Sequence, residues 1–126
     1  MNSAYHRRVA FPSELGISTS RQLHGTAPAL VIPIGSTEQH GPHLPLDTDT
    51  RIAAAVAREV AEHLADADHI SRWMHAPPIG YGASGEHESF PGTVSIGNAA
   101  LRLLLVEFGR SAAQWASRLV FVNGHG

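Results

Sequence analysis

The run ALVIPI, Ala29 to Ile34, is apolar at every position. No other feature constrains the fold of this chain as strongly. A strand with one face in water alternates apolar and polar residues. A continuous apolar run bounded by Pro28 and Ser36 instead fits a strand covered on both faces. Such strands belong to parallel sheets, whose crossovers are usually helices. From about Thr48, Ile52, Val56, Val60 and Leu64 recur every four residues through an alanine-rich stretch, which predicts an amphipathic helix. Trp73 to Ile79 reads as a short strand whose prolines restrict ladder pairing. Gly82 to Gly97 is a long Gly- and Ser-rich loop, with a further short strand at Thr93 to Ile96. Asn98 suits a helix N-cap. The stripe Leu101, Leu104, Leu105, Phe108, Ala112 and Trp115 then predicts a second helix, and RLVFVNGHG a second buried strand.

This alternation predicts an α/β layer architecture with a parallel sheet. Ligands in such sheets bind outside the carboxyl ends of the strands. Glu38, His40 and Asp49 follow one predicted strand and His125 follows another, so the topology brings all of them to the same sheet edge.

Composition narrows the chemistry. The 126 residues are enough for one domain with a real core. No apolar run approaches the roughly 18 to 20 residues that span a bilayer. The N-terminal MNSAYHRRVAFPSELG has no apolar stretch after its arginines, so it does not read as a signal peptide, and a cytoplasmic protein is expected. A net charge of −2 argues against bulk binding of nucleic acid or anionic lipid. There is no cysteine, so any metal is held by His, Asp or Glu. Nine histidines is a high number for this length.

Glu38 and His40 lie two residues apart where the chain leaves a strand, so they face the same side. Asp49 falls at the start of the first helix, where the helix dipole favours the carboxylate. An ionised carboxylate has two oxygens and can bridge two cations. His125 sits between glycines at a strand terminus, where the backbone can approach a ligand closely. Each residue also has an ordinary reading: Glu38 as a loop acid, His40 and His125 as loop histidines, Asp49 as a helix cap. His43 and Asp47 read as incidental. Ser84, Glu86, His87 and Glu88 form either a solvated turn or a wall facing a substrate. His6, His24, His63, His69 and His75 have no partner at useful spacing and read as surface or incidental residues.

Taken together, PIGSTEQHGPHLPLDTD, SGEHESFPGT and VNGHG resemble the creatininase family of metal-dependent amidohydrolases, in the same order and at similar separations, from Phe11 onward. The resemblance implies a three-layer α/β sandwich around a mainly parallel sheet. It also implies two divalent metal ions, zinc first, with manganese or iron as alternatives. By position, Glu38 and His125 would bind one metal, His40 the other, and Asp49 would bridge them. Ser84 matches a substrate-contacting position. Within the family, YGASGEHESFPGTVSIG looks closest to a peptidase branch that removes a C-terminal Val-Tyr dipeptide from a short modified peptide. Hydrolysis of a small cyclic or formyl amide is the alternative within the same family. Family members form homo-oligomers and are about twice as long. Residues 1–126 therefore read as the N-terminal half of a single creatininase-like domain, without a catalytic residue of its own and with little activity alone. A truncated metal-binding or oligomerisation module is the reading from another class.

Overall fold

A computed structural model describes residues 12–126. His6, and the first eleven residues of the N-terminal stretch read above for a leader, lie outside the described residues. A short helix α1 (Ser20–Leu23) precedes strand β1 (Ala29–Ile34), followed by helix α2 (Thr48–Ala67) and strand β2 (Trp73–His75). Helix α3 (Gly97–Ala112) then leads to strand β3 (Arg118–Asn123). The three strands form one parallel sheet in the order β2-β1-β3, which makes the apolar run the central strand. All six of its residues are buried.

Alternate side chains of β1 serve two cores. Ala29 and Val31 pack with Ala57, Ala61 and Trp73, supported by Val60, Leu64 and Val122. Leu30 and Ile32 pack with Met74 and Ala76 on the other face, where Leu15, Leu23, Phe108 and Leu119 close the layer. Helix α2 covers one face and α3 with the N-terminal segment the other, so the chain is an α/β sandwich of three layers. Among the described residues, no helix is long and apolar enough to cross a membrane.

Several local expectations are corrected. Strand β3, expected to be buried, is largely exposed, with Val120 and Phe121 at 38% and 39%. The core-facing row of α2 is Asp49, Ala53, Ala57 and Ala61, while Ile52 and Val56 are 55% and 43% exposed. Alanine lets the helix lie close to the sheet, so the small residues meet it, Val60 and Leu64 pack beside them, and Ile52 and Val56 turn outward. Helix α3 starts at Gly97 with Ile96 at its N-cap, leaving Asn98 in the first turn. The Ser95 hydroxyl already accepts the Gly97 N–H at 3.2 Å. Trp115 falls beyond the end of α3, in a turn. Finally, the predicted Thr93–Ile96 strand reduces to a single antiparallel bridge between Val94 and Thr37, and Ile79 meets Ile34 in another isolated bridge.

Asp68 ties the end of α2 to β2. Its carboxylate accepts hydrogen bonds from the Trp73 indole at 3.0 Å and from the Ile70 and Ser71 amides at 2.9 and 3.3 Å. The Trp73 bond, followed by the Ile70 bond, holds the carboxyl at about 2, below its ordinary 3.8. A carboxyl lowered on folding contributes stability above its unfolded value, and that contribution is lost as pH falls through the folded value. Between pH 4 and pH 2 the wild-type chain is therefore expected to lose stability that Asp68→Asn lacks throughout. Urea unfolding followed by tryptophan fluorescence across that window checks this. Parallel pH curves for the two proteins would refute it.

Candidate metal centre

Three backbone segments converge at the carboxyl edge of the sheet. Beyond β1 the chain runs extended through Ser36, Glu38 and His40, every second residue facing one side. Strand β3 ends at Asn123, and the Gly124 amide donates to the Ile34 carbonyl at 2.8 Å, so the two strand ends remain in register past the sheet. The Asn123 side chain accepts the His125 N–H at 3.1 Å and donates to the His125 carbonyl at 2.9 Å, which shapes the turn that presents His125. The first turn of α2 brings Asp49 between them.

The structure brings Glu38, His40, Asp49 and His125 into direct contact. His125 Nδ1 lies 3.1 Å from both Glu38 Oε1 and Asp49 Oδ2, and His40 Nε2 lies 2.7 Å from Asp49 Oδ1. Glu38 and Asp49 are 3% and 8% exposed. The residue at the N-cap of α2 is Asp47, which makes no side-chain capping bond and pairs with Arg51 at 2.8 Å on the surface. Asp49 thus has no capping role. His43 is exposed, as are His24, His63 and His69. His75, away from the site, is half-buried beside Glu14, at 3.9 Å.

Two tautomers follow from backbone carbonyls, which can only accept. His40 Nδ1–H donates to the Glu38 carbonyl at 3.0 Å, and His125 Nε2–H donates to the Ala83 carbonyl at 3.1 Å. The remaining nitrogen of each neutral ring then carries a lone pair aimed at carboxylate oxygen. Only a proton or a cation can sit between such groups. Burial, the largest influence, would lower both imidazoles. Hydrogen bonds to Asp49, with Glu38 and the backbone carbonyls, outweigh it and raise them. Burial likewise pulls Asp49 upward, but bonds from Ser36, His40 and His125 hold its carboxyl at about 2. Glu38 Oε2 is buried and has no hydrogen-bond partner among the described residues. Acceptors that converge in this way, one of them orphaned, fit a divalent cation held by nitrogen and oxygen donors. Donor atoms of Glu38, Asp49 and His125 lie within 4.8 Å of one another.

Sequence reasoning missed Ser36. It is fully buried, and its hydroxyl donates to Asp49 Oδ2 at 2.6 Å. The every-second-residue register that pairs Glu38 with His40 extends back to Ser36, and that was the available signal. Ser36→Ala is expected to weaken metal binding by about 10–100-fold while preserving the fold, because the bond fixes which oxygen faces which histidine. Competition titration against a chromophoric chelator measures this, and unchanged affinity would refute it. Ser84 is also fully buried, with its hydroxyl unpartnered among the described residues. Glu86 and His87 border the cleft, of about 540 Å³, that opens over Glu38 and His40. A cavity of about 620 Å³ at the opposite end, near Trp115, has no carboxylate in its lining.

The family model for creatininase, creatinine amidohydrolase, matches residues 14–126. The chain belongs to the creatininase family. It is 71% identical over 129 residues to the mycofactocin precursor peptide peptidase of Mycolicibacterium smegmatis, covering 100% of this chain and 51% of that protein. The creatinine amidohydrolase of Pseudomonas putida is 33% identical over 102 residues, covering 76% of this chain and 36% of that protein. A mutant creatininase of Zn-Zn type superimposes with a TM-score of 0.77 at 30% identity, over 90% of this chain and 45% of that one. A manganese creatininase gives 0.76 at the same identity and coverage. The chain spans about half the length of the curated relatives it matches.

Proposed function

We propose that this chain supplies the metal-holding half of a hydrolase that cleaves the mycofactocin precursor peptide, releasing its C-terminal Val-Tyr dipeptide. The observation that carries the reading is the convergence of the Glu38 and Asp49 carboxylates with one nitrogen of His40 and one of His125, the other nitrogen of each ring being taken by a backbone carbonyl. In this reading Glu38 and His125 would hold one divalent cation and His40 the other, with Asp49 shared between them. Nitrogen and oxygen donors of this kind suit zinc, manganese or iron, and zinc comes first. Bound cations of this kind make a hydroxide available near neutral pH and polarise the carbonyl to be attacked. The protein's own part is to keep the Asp49 carboxylate ionised, its two histidines in the ligating tautomer and the cleft open on one side.

Ser84 serves as a substrate contact in this proposal. Its hydroxyl is buried at the start of the Gly85–His87 turn, which carries the two cleft-bordering residues Glu86 and His87. A cytoplasmic location, a homo-oligomeric assembly and the placing of residues 1–126 as the N-terminal half of one domain belong to the same proposal. The likeness to the peptidase, at 71% identity against 33% for the creatinine amidohydrolase, favours a peptide over a small cyclic amide.

The test compares the 126-residue chain with the protein extended to the length of its relatives. Metal content is read by elemental analysis, and dipeptide release from a peptide ending in Val-Tyr by mass spectrometry. Two metals and released dipeptide in the long form support the proposal. No metal in the long form ends it, and metal with hydrolysis only of creatinine moves it to the cyclic-amide reading.

A further inference from the structure

His87 lies beside the proposed centre, and donor atoms of Glu38, Glu86 and His87 also come within 4.8 Å of one another. Taken alone, that grouping looks like another cation position. The hydrogen bonds behind His87 give it a different role.

Gln39 Oε1 accepts the Gly41 backbone N–H at 2.9 Å. A backbone N–H can only donate, so the orientation of the Gln39 amide is settled and its nitrogen points the other way. That nitrogen lies 3.0 Å from His87 Nδ1. An amide nitrogen has no lone pair to offer, so Nδ1 accepts, and the neutral ring carries its proton on Nε2. His40 and His125 are arranged in the opposite sense. Each gives its outer N–H to a backbone carbonyl and turns a lone pair inward. His87 turns an N–H inward. Its Nε2 lies 3.6 Å from Glu86 Oε1 and 4.0 Å from Glu38 Oε2, the buried oxygen without a hydrogen-bond partner among the described residues. Neither separation is a hydrogen bond, so the donor is available on the open side of the cleft.

We propose that His87 is a fixed hydrogen-bond donor to the substrate, with no part in metal ligation, and that Gln39 is the positioning residue that sets its tautomer. The group it recognises is an acceptor oxygen of an amide or carboxylate. This deepens the hydrolase reading and rests on it.

The experiment uses zinc-loaded protein of the full length of its relatives. Nitrogen-15 NMR of the wild type is expected to show His87 with a protonated Nε2 and an unprotonated, accepting Nδ1. Gln39→Glu replaces the donating nitrogen with an oxygen that only accepts and is expected to move a proton onto Nδ1. His87→Ala is expected to leave zinc per chain unchanged. It should also raise KM for a peptide ending in Val-Tyr about tenfold, with kcat little changed, as loss of a ground-state contact does. Loss of a zinc equivalent in His87→Ala, a proton on wild-type Nδ1, or an unchanged KM each overturns the proposal. A wild-type protein that takes up no zinc sinks the hydrolase reading instead, and the nitrogen shifts still decide the tautomer.

Discussion

Asp49→Ala is expected to strip the full-length protein of both metal equivalents and abolish peptide cleavage, while the folded structure survives. The size of the effect follows from where the two carboxylate oxygens go. Oδ1 faces His40 at 2.7 Å, and Oδ2 faces His125 at 3.1 Å. No other side chain among the described residues contacts both histidines so closely. Glu38 Oε1 stands 3.8 Å from His40 Nε2, so it cannot replace the short contact. Removing a partner that merely orients a ligand costs about 10–100-fold in metal affinity. Removing the bridge itself should exceed that range. Dialysis followed by elemental analysis reads the metals, and circular dichroism reads the fold. Retention of one full equivalent would mean that Asp49 serves a single cation, and retention of both would remove it from the site.

The second large effect comes from a residue without a side chain. A Cβ built on Gly124 would lie 2.5 Å from the Asp49 carbonyl oxygen and 3.0 Å from Ala53 Cβ. Backbone cannot rotate out of the way as a flexible side chain can. Gly124→Ala must therefore push β3 away from the first turn of α2, separating His125 from Asp49. A destabilisation of about 1–3 kcal/mol or more is expected, with weakened metal uptake. Gly85 has open space around it, so Gly85→Ala is expected to cost no more than about 0.5 kcal/mol. Urea unfolding of both variants, with metal titration in parallel, tests the pair. Equal stabilities would show that β3 and α2 tolerate separation, and the close approach would lose its role in holding the site.

Much of this architecture could be read from residue order. The apolar run became the central strand because a segment without polar alternation has nowhere to sit except between two layers. The convergence of Glu38, His40, Asp49 and His125 at one sheet edge followed from parallel topology, which sends every strand end to the same side. His125 was placed by its flanking glycines, and the close approach at Gly124 accounts for one of them. The hydrophobic stripe of α2 misled, because periodicity identifies a helix more reliably than it identifies which apolar row lies deepest. Ile52 and Val56 stay half exposed while the alanine row meets the sheet.

Sequence alone determined the layer order, the edge where chemistry collects and the donor atoms available there, since these depend on local pattern and on the direction of parallel strands. Tertiary structure alone decided the protonation geometry. It set Ser36 against Asp49, gave His40 and His125 their backbone carbonyls, and gave His87 the Gln39 amide. Those choices depend on partners up to 48 residues apart in the chain, as with Gln39 and His87. Hydrogen bonds have a direction only once donor and acceptor have been brought within about 3 Å of each other.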